Sequence, residues 1–116
     1  LEFRRVLFRS QCVVIKDKVV VAVEAVEGTD GAIKRGGELA KDGAVVVKRC
    51  KPQQDLRFDL PAVGPRTIEV MASVNAKVLA VEAGRTVMLD RDLLLEKARG
   101  AGIAVVGIKQ LELIKP

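Results

Sequence analysis

Ala44-Val-Val-Val-Lys48 and Lys77-Val-Leu-Ala-Val81 are short β-branched runs, separated by Lys51-Pro-Gln-Gln-Asp-Leu-Arg-Phe-Asp-Leu-Pro-Ala-Val-Gly64 and a segment that opens on Pro65. The two runs read as strands. Pro65 suits the first turn of a helix, where its missing N–H is no loss. Ile68, Met71 and Ala72 give that helix an apolar face, and Asn75 tolerates the left-handed conformation that ends it. Strand, helix and strand in succession are the unit of an α/β fold. The fourteen residues from Lys51 to Gly64 hold two carboxylates (Asp55, Asp59), two cations (Lys51, Arg57) and three chain-bending residues (Pro52, Pro61, Gly64). Proline keeps its predecessor extended, which predicts an irregular loop or short strand there. Polar groups on a stiffened loop are where ligands are commonly met.

Working towards the N-terminus, Gly31 to Ala40 reads as a helix that Thr29 or Asp30 can cap, although Gly36-Gly37 weakens its interior. Before it, Cys12–Lys16 and Val19–Glu24 flank Asp17-Lys18 as a hairpin, where glycine would be the more natural second turn residue. Both runs are too apolar for simple alternation, so the hairpin is expected to be covered on both faces. Towards the C-terminus, Thr86–Leu89 is a further strand. Asp90 caps a helix carrying Leu93, Leu94, Lys97 and Ala98, and Gly100 closes it. Ile103–Val106 is the last strand, and the residues beyond 107 read as a tail. The order β-β-α-β-loop-α-β-β-α-β predicts a single α/β domain with a mixed sheet of about six strands and three helices.

With 49% hydrophobic residues, 116 residues suffice for one independently folding core. No apolar run approaches the roughly 18 residues of a membrane span, and no secretory signal is evident, so the cytoplasm is expected. Histidine is absent, which excludes a histidine-based triad and most zinc sites. Cys12 and Cys50 lack metal-ligand spacing and read as small, reduced hydrophobes. Residues 1–10 (LEFRRVLFRS) differ in character from the rest, holding two of the three phenylalanines and three arginines. Glu2 to Ser10 resemble a sequencing adapter read through as protein, so 1–10 are set aside as a non-native leader; the rival reading is a basic amphipathic arm. The formal charge then falls from +5 to +3, with Phe58 the sole remaining aromatic, and nucleic acid is not an expected partner.

Three polar groupings are candidate sites. In the central loop, Lys51 and Arg57 suit phosphate, while Asp59 is read either as a turn aspartate bonding its own backbone or as a functional carboxylate. Glu27, Thr29 and Asp30 sit where a helix begins. Free N–H groups there suit phosphate, carboxylates suit Mg²⁺, and plain capping is the alternative. Glu82 and Arg85 flank Gly84 on a tight connection, as an ion pair or as a ligand contact.

Gln11-Cys-Val-Val, Ala25-Val-Glu-Gly-Thr-Asp30, the Lys51–Gly64 stretch with its Arg57-x-Asp59-x-Pro61 core, and Glu82-Ala-Gly-Arg85 followed by Asp90-Arg91 together resemble one family. It is the LpxI-type UDP-2,3-diacylglucosamine pyrophosphatases, over about Gln11 to Gly107. The resemblance implies a C-terminal catalytic domain (residues 11–107, with 108–116 as tail) lacking its N-terminal domain. The implied whole enzyme hydrolyses UDP-2,3-diacylglucosamine to UMP and 2,3-diacylglucosamine 1-phosphate in lipid A assembly, with Mg²⁺, in a site between two domains. Asp59 matches the family's essential aspartate. Lys51, Arg57, Thr29 and Arg85 are the substrate contacts this suggests, and Glu27, Asp30 and Asp59 the metal ligands. The missing domain is an implied partner, a homo-oligomer is left open, and contact with the inner membrane would be peripheral at most. Lys18 and Asn75 stand where glycines are usual in the family. The competing class is a small α/β ligand-binding or interaction domain without catalysis. A leader foreign to the fold should be dispensable: removing residues 1–10 is expected to leave the thermal midpoint unchanged, and a truncated chain that unfolds would show the leader to be part of the core.

Overall fold

The computed structural model describes residues 12–49 and 61–109. The valine runs form β1 (Cys12–Lys16), β2 (Val19–Val23), β3 (Val45–Lys48), β5 (Val78–Glu82) and β7 (Ala104–Ile108), paired in the order β2-β1-β3-β5-β7. β1 is antiparallel to both neighbours, whereas β3, β5 and β7 are parallel. Parallel neighbours need crossovers, and α2 (Pro65–Ser73) and α3 (Arg91–Ala101) supply two of them; α1 (Gly28–Ala40) carries the chain from β2 across to β3. The fold is therefore the expected α/β domain with a mixed sheet and three helices. It has five strands in that sheet rather than six. Val87–Met88 (β6) pairs instead with Ala62–Val63 (β4) as a separate parallel ribbon.

Alternation along the strands sorts the core. Cys12, Val14, Val46, Leu79 and Val81 cluster with Ile33 of α1, Ile68 and Met71 of α2, and Leu94 and Ala98 of α3. The alternate residues Val13, Val47 and Ala80 gather separately with Ile15, Val45 and Ile108. So β1 is buried on both faces, as expected of the hairpin, but β2 is not. β2 is the edge strand, paired on one side only, and leaves Val19 59% and Val20 50% exposed. Ala72, expected on the apolar face of α2, is exposed, and Val70 is buried in its place.

Local chemistry explains the turns. Asp17 (φ 52°) and Lys18 (φ 68°) are both left-handed, the geometry of a two-residue hairpin turn that follows the strand twist. α2 ends with Asn75 at φ 59°: its N–H donates to the Ala72 carbonyl (3.2 Å), and the Ala76 N–H to that of Met71 (3.0 Å). α3 repeats this pattern around Gly102 (φ 71°), two residues past the expected Gly100. At the start of α2, the Gly64 N–H donates to Thr67 Oγ1 at 3.1 Å, with Pro65 in the first turn as predicted. β7 runs on through Gly107 and Ile108, opposite Val81 and Glu82, so the strand extends past the expected boundary at residue 107.

Gly36-Gly37 looked like a weak point of α1, yet both glycines are buried and each admits a neighbour. A Cβ on Gly36 would lie 2.5 Å from Val14 Cβ, and one on Gly37 would overlap the Val74 side chain. The helix gives up propensity so that its backbone can rest on β1 and on the end of α2. Gly37→Ala should therefore destabilise: overpacking costs about 1–3 kcal/mol, against a propensity gain of about 1 kcal/mol. Urea unfolding should show a lower midpoint for Gly37→Ala. A more stable Gly37→Ala chain would contradict the close approach.

Candidate functional site at the carboxyl edge of the sheet

Because β3, β5 and β7 are parallel, their carboxyl ends share one edge. The register puts Cys12 opposite Lys48 and Val13 opposite Val23, so β1 begins and β2 ends at that edge too. The corner from Glu24 to Asp30, the Lys48-Arg49 end of β3 and the Glu82–Arg85 turn after β5 are thereby gathered together. Ligands of open α/β sheets bind beyond these strand ends. Lys51, Asp55, Arg57 and Asp59 lie outside the described residues. On either side of them, Arg49 follows β3, and the Pro61 carbonyl accepts from the Val87 N–H at 2.9 Å beside the β4–β6 ribbon. Two of the three predicted groupings, Glu27–Asp30 and Glu82–Arg85, thus share the edge.

Side chains bind this corner together. Thr29 Oγ1 donates to Glu24 Oε1 at 3.1 Å and accepts from Lys48 Nζ at 3.1 Å. Asp30 pairs with Arg66 at 2.9 Å, joining the first turns of α1 and α2. Glu27 pairs with Arg35 at 2.6 Å and accepts from the Ala25 N–H at 3.0 Å, while Arg35 also donates to the Val23 carbonyl. Neither Thr29 nor Asp30 caps α1 as expected. Glu27 is the N-cap residue, and its side chain makes no cap hydrogen bond. Asp90 similarly takes the N-cap position of α3 without a side-chain cap bond.

Among the described residues, two groups have shifted titrations. The Arg35 hydrogen bond holds the Glu27 carboxyl below its ordinary 4.5. Burial pushes the Cys12 thiol up to about 12, so it remains the inert, reduced hydrophobe the sequence predicted. As candidate metal ligands, Glu27 and Asp30 are each engaged by an arginine. The described residues contain no cluster of three or more acidic, cysteine or histidine side chains fit to hold a metal. Arg85 is exposed on its turn, its N–H donating to the Glu82 carbonyl at 3.2 Å. The turn closes a cavity of about 260 Å³ whose lining includes Gly84, Thr86, Met88, Arg91, Leu95 and Gly107. Sequence reasoning missed Lys48. It reads as one more charge ending a strand, yet it is 4% exposed. No helix among the described residues is long and apolar enough to cross a membrane.

The geometry defines an α/β domain with its polar groups collected at the carboxyl edge of a half-parallel sheet. Residues 7–106 match the LpxI C-terminal domain family, a match that begins inside the leading decapeptide. The chain belongs to that family. The UDP-2,3-diacylglucosamine pyrophosphatase LpxI of Caulobacter vibrioides is 34% identical over 110 residues, covering 88% of this chain. The chain spans 39% of that relative's length. Two solved forms of Acinetobacter baumannii RibD each align with a TM-score of 0.50 at 19% identity, over 92% of this chain and 32% of theirs. At that identity the likeness concerns the fold alone.

The Glu27–Arg35 pair makes a pH-dependent prediction. A carboxyl whose folded pKa is depressed adds stability above its unfolded pKa and loses it as pH falls through the folded one. The stability gap between the natural chain and Arg35→Gln should be full at neutral pH and narrow below about 4.5, down to a residue left by the lost Val23 bond. NMR titration should show the Glu27 carboxyl of the variant moved up towards its ordinary value, with the backbone N–H bonds still favouring the charged form. An unchanged Glu27 titration would mean that the pair does not persist in solution.

Proposed function

We propose that this chain is the C-terminal part of a UDP-2,3-diacylglucosamine pyrophosphatase, hydrolysing its lipid nucleotide to UMP and 2,3-diacylglucosamine 1-phosphate in lipid A assembly. The observation that carries the reading is the meeting of two polar groupings, Glu27–Asp30 and Glu82–Arg85, at one sheet edge in a chain 34% identical to a pyrophosphatase of that name. The chain spans 39% of that relative. In the proposed enzyme an N-terminal domain completes the cleft, and this chain alone turns substrate over negligibly. The enzyme works in the cytoplasm, peripheral to the inner membrane where its acyl chains enter.

Asp59 is the proposed catalytic carboxylate, either orienting the attacking water or holding a metal. Lys51, Arg57, Thr29 and Arg85 are the proposed substrate contacts. Mg²⁺ belongs to the proposal, and when bound it offsets charge on the phosphoryl oxygens. It needs only one or two protein carboxylates, because water and phosphate oxygens fill the rest of its shell. Asp30 is one proposed ligand, and Asp59 the other where it serves the metal rather than the water. The Asp30–Arg66 pair is solvent-exposed, at 41% and 75%, and an exposed pair worth about 0–1 kcal/mol can open. Glu27, engaged by Arg35 and a backbone N–H, is the weaker ligand.

Fusing the N-terminal domain of the Caulobacter relative to this chain should restore release of UMP. In that enzyme Asp59→Asn should lower kcat about 10²-fold or more with little change in KM. If Asp59 holds the metal, raised Mg²⁺ or substituted Mn²⁺ recovers part of the rate. If it orients water, added metal does not help. Near-normal kcat at every metal concentration would return Asp59 to the role of a turn residue.

A further inference from the structure

Lys48 closes β3 with its side chain on the helix-bearing face of the sheet, in register with Cys12. It is 4% exposed, and its ammonium makes one hydrogen bond, to Thr29 Oγ1 at 3.1 Å. An ammonium has three N–H donors. Lysine is almost never this buried without an ion pair, and among the described residues Lys48 has none. Its acidic neighbours are otherwise engaged. Glu27 is taken by Arg35 and Asp30 by Arg66, while Thr29 Oγ1 accepts from Lys48 and donates to Glu24. A second feature lies beside it and is independent of the lysine. The thirteen-residue helix α1 starts at Gly28, and its N-cap residue Glu27 makes no side-chain cap bond. The N–H groups of a first helical turn and the positive end of the helix dipole favour an anion.

We propose that Lys48, Thr29 and the first turn of α1 form a phosphate subsite, with the Lys48 ammonium as its fixed charge. This rests on the pyrophosphatase reading and adds a substrate-binding residue to it. The ligand class is a phosphate monoester, or the same group within the pyrophosphate. The ammonium donates to a phosphoryl oxygen, and Thr29 holds the ammonium in place from one side. A lysine kept dry beside Cys12 interacts more strongly with phosphate than an exposed one, because little water competes for its donors. The shared chemistry has two sources in this substrate, the nucleotide half and the sugar 1-phosphate half.

The test is a titration of the ¹⁵N-labelled 116-residue chain with UMP, glucosamine 1-phosphate and inorganic phosphate, following backbone amides by NMR. One of the esters should give saturating shifts at Thr29, Asp30, Gly31 and Lys48, and the stronger ester names the half bound there. Lys48→Met keeps the buried stem and removes the charge, so it should weaken that affinity at least tenfold while circular dichroism shows a folded chain. If Lys48→Met does not fold, the amides that shift in the natural chain decide the matter alone. Shifts confined to Gly84–Arg91, no saturating shift at all, or an affinity unchanged in Lys48→Met would overturn the subsite. The fused enzyme separates this failure from that of the parent reading. Hydrolysis with normal kcat and KM in Lys48→Met removes the subsite only. An inactive fusion in a chain whose Lys48 corner still binds phosphate esters removes the proposed reaction only.

Discussion

The contact of α1 with its neighbours through Gly36 and Gly37 is the constraint from which the rest follows. With any larger residue the helix axis would have to move away from Val14 and Val74. Held close, α1 lies across β1 with its first turn at the carboxyl end of β3, and Thr29 comes within hydrogen-bond reach of Lys48. The same contact presses α1 against the end of α2, and the far end of that helix answers with Arg66 on Asp30. A packing choice in the core thus sets the spacing of polar groups at the edge. Propensity alone would have argued against both glycines.

Much of the architecture was legible because it is periodic or punctuated. Valine runs, Pro65, Asn75 and the Asp17-Lys18 turn each carry a local rule, and each element formed within a few residues of where the rule placed it. The β4–β6 ribbon escaped, since two-residue strands have no period and their pairing joins residues 25 apart. The edge position of β2 escaped for a different reason. Composition says how apolar a strand is, but not how many partners it finds. At the carboxyl edge, two of the groupings that the sequence marked lie together, but their wiring differs from the expected capping. Asp30 to Arg66 spans 36 residues, and only the assembled helices bring them together. Lys48 was invisible because burial is a property of the fold and not of the residue.

The electrostatics of the corner divide into two kinds. Glu27–Arg35 and Asp30–Arg66 are solvated pairs whose members can exchange partners at little cost. Lys48, Thr29 and Glu24 form a chain of hydrogen bonds in a drier setting, where an unmet donor is more costly. Arranged this way, the outer charges can adapt to a ligand while the inner one stays fixed.

Among the described residues, five other than glycine hold positive φ: Asp17, Lys18, Lys41, Asn75 and Asp90. Aspartate and asparagine accept a left-handed backbone with modest strain, whereas at Lys18 it costs about 1–2 kcal/mol, and Lys41, at φ 74° and ψ −53°, lies outside the left-handed helical region altogether. Lys18 and Lys41 therefore hold back part of the fold's stability at two turns remote from the carboxyl edge. Evolution has left there a reserve that glycine could release without touching a single group near Lys48. A lineage drifting towards a more demanding active site, or an engineer loading one with destabilising changes, could draw on those two turns first.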